Sequence, residues 1–284
     1  MTAFSGIPNA FTVDTEEWFH ICGVDQFAPS QWTALPSRVE LTTRLLLDDM
    51  ARAGVHGTFL IVGWVAERYP HLVAEILAAG HEVGSHGHLH QRVYELTPAG
   101  FREDLRRSLA ALAAAGAPSI RCFRAPEWSI RTGALWALDI LISEGITVDA
   151  SMAPIRLVGD ANGPRTPHVR STAAGDIIEL PPLVADRFGQ TIPLGWGWGL
   201  SMSAPRRVSG AIDRLNASGS SAVLMVHPWE IDPDPPAVRL PAGLQFAHTF
   251  RLRGFRERLK EIMMHTHFTT LSRLAATVRR GDRT

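Results

Sequence analysis

The run Ser85-His86-Gly87-His88-Leu89-His90 sets three histidines at alternate positions, with three residues between His86 and His90. On a helix or in a tight turn, that spacing lays two imidazoles side by side, a common way to grip a divalent metal. His88 faces the other way if the segment alternates and reads as structural. His81 precedes the run and reads as a loop residue. Far upstream, Asp14, Glu16 and Glu17 form an acidic knot. One of its carboxylates suits a metal and another a general base, because a cation offsets their mutual repulsion. His227 closes the apolar run Val223-Leu224-Met225-Val226, where an imidazole is well placed to protonate a leaving amine. Arg124, at the end of another apolar run, is suited to pair with a carboxylate and orient Asp14. Trp18, Trp128, Trp196, Trp198 and Trp229 lie near these motifs. Trp196 and Trp198, in Pro-Leu-Gly-Trp-Gly-Trp-Gly-Leu, read as an aromatic lid over a substrate such as a sugar ring.

The elements that must position these side chains follow from periodicity. Strand-like runs cover Ala10 to Asp14, Gly57 to Val62, Glu82 to Ser85, Ile120 to Phe123, Ile177 to Leu180, Ala222 to His227 and Phe268 to Thr270. Between them lie amphipathic stretches: RVELTTRLLLDDMARAG with a Ser37/Glu40 capping box and a stop at Gly54, HLVAEILAAG ended by Gly80, and a helix opened by Thr97-Pro98 that runs to Gly116. Further helices are expected over Gly133 to Glu144, after Ser203-Ala204-Pro205, and around Phe255 to Met264. Alternating β and α units predict an α/β fold with a largely parallel sheet or barrel. In such folds ligands bind outside the carboxyl ends of the strands, and Asp14, His86, Arg124 and His227 all fall there. Met152 to Gly199 reads as long loops around one strand, and the proline-rich Asp232 to Ala242 as a rigid surface loop.

The 284 residues suffice for one large domain, with core motifs inside 10–230 and a C-terminal extension, 231–284, packed on it. With 28 basic and 28 acidic residues, charge gives no case for nucleic acid or an anionic membrane surface as partner. Cys22 and Cys122 form no metal spacing and no disulfide framework, and apolar neighbours suggest buried free thiols. No stretch reads as a membrane span or signal peptide, so a cytoplasmic protein is expected.

Taken in order, Thr12-Val13-Asp14-Thr15-Glu16, Ser85-His86-Gly87-His88-Leu89-His90, Arg124-Ala125-Pro126 and Leu224-Met225-Val226-His227 resemble the motifs of the NodB-type polysaccharide deacetylases of carbohydrate esterase family 4. Phe-Arg-Ala-Pro-x-x-Ser-Ile and the long C-terminal part look most like the subgroup associated with bacterial exopolysaccharide loci. The resemblance implies a distorted (β/α) barrel, usually of seven strands, with long C-terminal loops. It implies a divalent ion, zinc foremost, and hydrolysis of an N-acetyl group on an amino sugar. Asp14 then stands at the base, His86 and His90 at the ligands, His227 at the acid, and Arg124 at the position that orients the base. The family's second aspartate is replaced: Glu16, one residue further on, takes its place, with Glu17 as rival. Glu127 stands where the family has tyrosine, so it joins Trp128, Trp196, Trp198 and Trp229 as a residue expected at the substrate. Other readings are a deacylase or cyclic-amide hydrolase for a small metabolite, or a catalytically silent carbohydrate-binding homologue.

Overall fold

The computed structural model describes residues 6–156, 158–187, 189–237, 240 and 252–278. Strand β1 (Asn9–Thr15) is buried along its whole length, as befits a central strand covered on both faces. It pairs in parallel with β10 (Val223–Val226) and with β2 (Thr58–Ile61). The row continues in parallel through β3 (Glu82–Ser85), β4 (Cys122–Phe123), β5 (Val148–Asp149) and β7 (Gly175–Glu179). These are the seven consecutive parallel strands of a curled α/β half-barrel. β6 (His168–Thr172) extends the far edge antiparallel to β7, and β11 (Phe268–Thr269) adds to β1. The two edges approach through the chain leaving β7: Leu183 N–H donates to Val223 O, and Met225 N–H donates to Gly195 O.

Met152 to Gly199 departs from the expected loops around one strand. It holds two antiparallel hairpins, β6–β7 and β8 (Val184–Arg187) with β9 (Gln190–Pro193), and then the short helix α6 (Gly197–Met202). Strands such as HVRST and QTIP are only partly buried, so they lack the apolar run by which a strand is read.

Helices cover the sheet's outer face. α1 (Val39–Ala53) buries Leu46 and Met50 and ends at Gly54, whose φ of 66° suits glycine. α2 (Gly63–Arg68) and α3 (Pro70–Ala78) follow β2, and α4 (Pro98–Ala114) is capped by Thr97 Oγ1, which accepts from Gly100 N–H at 3.1 Å. The Ser37/Glu40 capping box does not form. Ser37 Oγ donates to Glu17, Arg38 N–H donates to Glu17 Oε2 at 2.9 Å, and Glu40 bonds His71 and Arg44. A carboxylate remote in sequence thus caps α1, which periodicity cannot reveal. α5 (Trp136–Ser143), α7 (Pro205–Ala217) and α8 (Phe255–His265) complete the layer, α8 placing Phe255, Leu259 and Ile262 in the main core.

Alternation along β1 puts Phe11 and Val13 in the outer core and Ala10, Thr12 and Asp14 on the inner side. The inner bottom is filled by Ala10, Leu60, Cys122, Val148 and Val223 together with Leu271 and Leu274 of α9 (Leu271–Ala275), which seals it. The upper inner positions are left to polar side chains. Within the expected surface loop and C-terminal extension, 238–239, 241–251 and 279–284 lie outside the described residues. Among the described residues, no helix is long and apolar enough to cross a membrane.

Candidate active site

Parallel pairing fixes the rim. Val13 pairs with Val226, so Asp14 and His227 emerge side by side, and Ser85 pairs with Phe123, so His86 and Arg124 do the same. The ladder continues one step further, with Arg124 N–H donating to Ser85 O at 3.1 Å. The 86–90 segment is a loop rather than a helix. Asp104 of α4 accepts from His88 N–H and Leu89 N–H at 2.7 and 3.0 Å, while Gly87 (φ 72°) and His90 (φ 49°) make the turn. Among the described residues, the non-glycine positive φ values belong to His90, Glu127 and Trp128, all on this rim, a distribution typical of functional sites.

On one side of the rim, Glu16, His86 and His90 gather. One ligand atom from each lies within 4.8 Å of the others, and all three residues are buried. Glu16 Oε2 stands 2.6 Å from His90 Nε2 and 3.8 Å from His86 Nε2. His86 Nδ1 lies 2.8 Å from Arg124 O, and because a carbonyl only accepts, Nδ1 carries the proton and the Nε2 lone pair faces inward. Burial holds His86 neutral, pushing its pKa down to about 4. Burial would raise Glu16, yet His90, with His227 and His86 beyond, holds it far below the usual carboxylate range. Burial likewise opposes charge on His90, but Glu16 lifts it well above an ordinary imidazole. No well-aligned donor reaches the buried Glu16 Oε2. A carboxylate oxygen in that state, beside two imidazole nitrogens, is a donor set that fits a divalent cation. Glu17, its rival, is spent capping α1.

On the other side, Arg124 is buried and donates from Nη1 to Asp14 Oδ1 at 2.6 Å and to Thr12 Oγ1 at 2.8 Å, and from Nε to Ala150 O at 2.9 Å. Trp128 lies under its guanidinium at 4.7 Å. Asp14 Oδ2 faces His86 Nε2 at 3.7 Å. His227 Nε2 is 3.7 Å from Glu16 Oε1, and its Nδ1 is 3.4 Å from Glu230 Oε2. Burial works against charge on His227, but Glu230, Glu16 and Asp14 together outweigh it, Glu230 foremost, and the pKa rises to about 9.

The tryptophans divide. Trp229 stacks on His227 at 4.8 Å and donates from Nε1 to Glu16 Oε1 at 3.2 Å. Trp196 is not an open lid: its ring is buried and leans on Trp128 at 5.0 Å. Trp198 lies in α6, but its side chain falls outside the described residues. Trp18 donates to Pro36 O from an aromatic cluster with Phe19 and Trp32. The Glu127 carboxylate turns to Arg92 Nε, at 2.6 Å, and Cys22 N–H, at 3.3 Å. Cys22 is half-buried rather than a core thiol, and His81 is buried, its Nδ1 accepting from Gly57 N–H at 3.2 Å. His88 does face away, sealed against Gly63.

Sequence reading missed Glu230, although its place three residues after His227 was a usable signal. It also missed a buried carboxyl pair, Asp149 and Glu179, at the neighbouring ends of β5 and β7. By alternation this pair lies on the outer face of the sheet. Asp149 accepts from Ser151 Oγ at 2.5 Å and Glu179 from Met152 N–H at 3.0 Å. Burial raises both pKa values, and the nearness of Asp149 drives Glu179 well above the carboxylate range, so the pair shares a proton.

Residues 35–140 match the family model for Polysaccharide deacetylase, and residues 150–276 match one described as Domain of unknown function (DUF3473). Strands from both segments belong to the one sheet. The first match spans the segment that supplies His86, His90 and Arg124, and the second the segment that supplies His227. Among solved structures, the chain is similar to a "putative polysaccharide deacetylase" from Mycobacterium smegmatis, with 18% identity, TM-score 0.64, and coverage of 100% of this chain and 94% of that one. It is also similar to a "probable Polysaccharide deacetylase" from Pseudomonas aeruginosa PAO1, with 17% identity, TM-score 0.60, and coverage of 95% and 89%. A CE4 family pseudoenzyme from Bacillus anthracis shares the fold too, at 12% identity, TM-score 0.52 and coverage of 97% and 67%. At these identities the likeness is one of fold, so catalysis turns on the side chains at the rim.

Proposed function

We propose that this protein is a metal-dependent hydrolase that removes N-acetyl groups from an amino sugar within a polysaccharide or related glycan. The observation that carries the reading is the buried trio Glu16, His86 and His90, set between Asp14 on one side and His227 on the other. These three residues would hold a divalent cation, with zinc favoured by two imidazoles and one carboxylate. Bound there, such an ion supplies Lewis-acid polarisation of an acyl oxygen and lowers the pKa of water.

The chain's own residues do the rest. Arg124 and Thr12 fix one end of the Asp14–Arg124 contact, so the other Asp14 oxygen is free to take a proton from attacking water. His227, with a pKa of about 9, carries a proton at neutral pH and hands it to the departing nitrogen. Because Glu230 leads the carboxylates that raise it, the proton does not depend on Glu16 alone. Trp229, stacked on His227 and half-buried, offers a ring face to a pyranose. A silent binding module would need neither the base nor the acid. The motif likeness to the exopolysaccharide subgroup points to a bacterial exopolysaccharide as the polymer.

The test pairs elemental analysis with acetate release from N-acetylated chito-oligosaccharides. About one zinc per chain and release of acetate are expected, with both lost in His86→Ala. Acetate release undiminished in metal-free His86→Ala protein would overturn the reading.

A further inference from the structure

Cys22 has no part in the chemistry above, yet it is held with care. Its N–H donates to Glu127 Oε1 at 3.3 Å, and its carbonyl accepts from Arg92 Nη2 at 3.2 Å. Arg92 and Glu127 join each other at 2.6 Å, closing a ring of contacts about one residue of backbone. That clamp turns the thiol onto His90, placing Sγ 3.1 Å from His90 O and 3.6 Å from His90 Nδ1. A carbonyl only accepts, so the thiol proton goes to His90 O and a sulfur lone pair is left facing Nδ1. Without a cation the Glu16 contact keeps a proton on Nε2 as well; where a cation takes the place of that proton, an N–H at Nδ1 donating to the sulfur leaves Nε2 as the ligand nitrogen toward Glu16 and His86.

We propose that Cys22 is a positioning residue for the candidate metal centre: by accepting a hydrogen bond from His90 Nδ1–H, it fixes the tautomer and ring orientation that present Nε2 to a divalent cation. The inference rests on the metal reading above and deepens it. His86 has the same need met by Arg124 O at 2.8 Å, so each imidazole of the pair has its far nitrogen engaged. His90 needs more than a single bond, because its φ of 49° is a conformation other residues avoid. Cys22 grips both its carbonyl and its ring, and His20 covers one ring face at 5.8 Å. The buried Glu16 Oε2, lacking an aligned donor, marks where the freed Nε2 points. Glu127 gains a role here that its position beside Arg124 did not suggest: it anchors the thiol that orients a ligand.

The experiment is zinc titration of the metal-free full chain against a chromophoric chelator. Cys22→Ala is expected to weaken zinc binding about 10- to 100-fold, the range for partners of ligating histidines. Cys22→Ser keeps a donor and an acceptor at the same place and is expected to stay within about threefold of wild type. Glu127→Ala, which opens the clamp, should shift affinity in the same direction by less. The unfolding midpoint of the metal-free Cys22→Ala protein should match wild type, since the role is orientation of one ring. Wild-type zinc affinity in Cys22→Ala, or an affinity loss that tracks lower metal-free stability, overturns the inference. If His90→Ala loses zinc while Cys22→Ala does not, only this inference fails. If wild type itself binds no zinc, the metal reading fails first and takes this one with it.

Discussion

Two polar clusters share one rim and balance their charges in opposite ways. Around Arg124 the charge balance is internal, with Asp14, Thr12 and Ala150 accepting from Nη1 and Nε and Trp128 covering its face. Around Glu16 two imidazoles and a carboxylate crowd together, and a buried oxygen is left without an aligned donor. Burial makes an unmatched charge expensive in both places. In the first cluster the chain itself matches the charge of Arg124 to Asp14, leaving only the neutralised guanidinium's Nη2 without a partner, and this holds Asp14 rigidly. The second has lone pairs in excess at ligand spacing, the condition that a cation relieves.

The sharpest way to break this contrast is Asp14→Asn. Asp14 belongs to the internally matched cluster, so turnover should fall on the order of 10²–10⁴-fold while zinc content stays at the wild-type level. Loss of zinc alongside activity would merge the two clusters into one. Arg124→Met comes next. It strands Asp14 in the interior, and urea unfolding should report a loss of about 3–5 kcal/mol. Adding Asp14→Asn to it should recover part of that loss, since the stranded charge is gone.

Glu179→Gln should have the smallest effect. A carboxyl that holds a proton in the folded state is mimicked by an amide, so the stability change at pH 5 should stay within about 1 kcal/mol, with the variant gaining on wild type as pH rises. The sign of its pH dependence is set by the raised pKa. Above the ordinary value of 4.5, the unfolded chain has released a proton that the folded chain keeps, so wild-type stability declines as pH climbs through that window. In Glu179→Gln that slope should flatten, and a denaturant series from pH 5 to 8 measures it. An unchanged slope would mean that no proton is shared with Asp149.

Most of the rim was legible because parallel strands converge: a polar residue ending an apolar run marks a strand's carboxyl end wherever it falls. Asp14, His86, Arg124 and His227 were found that way. The same signal was present in Ile177-Ile178-Glu179 but went unused, because nothing in sequence pairs Glu179 with Asp149 across β5 and β7. The hairpins between 168 and 193 were missed because half-exposed strands carry no continuous apolar run. The burial of Trp196 escaped sequence reading for a related reason. A glycine-rich setting suggests an open loop, but Trp196 is buried by Trp128, which stands 68 positions earlier in the chain.

What the sequence determined by itself is local: the order of strands and helices, the side of β1 on which Asp14 lies, and the residue types at the strand ends. Each follows from periodicity and from the restricted chemistry of histidine, arginine and carboxylates. Only the tertiary structure sets Glu16 and Glu17 apart. Both follow the same strand one position apart, and one turns to His90 while the other caps α1. That difference depends on where α1 and the His86–His90 loop lie in space. Contacts between residues 20 to 75 positions apart decide it, and chain-local propensities carry no information about them.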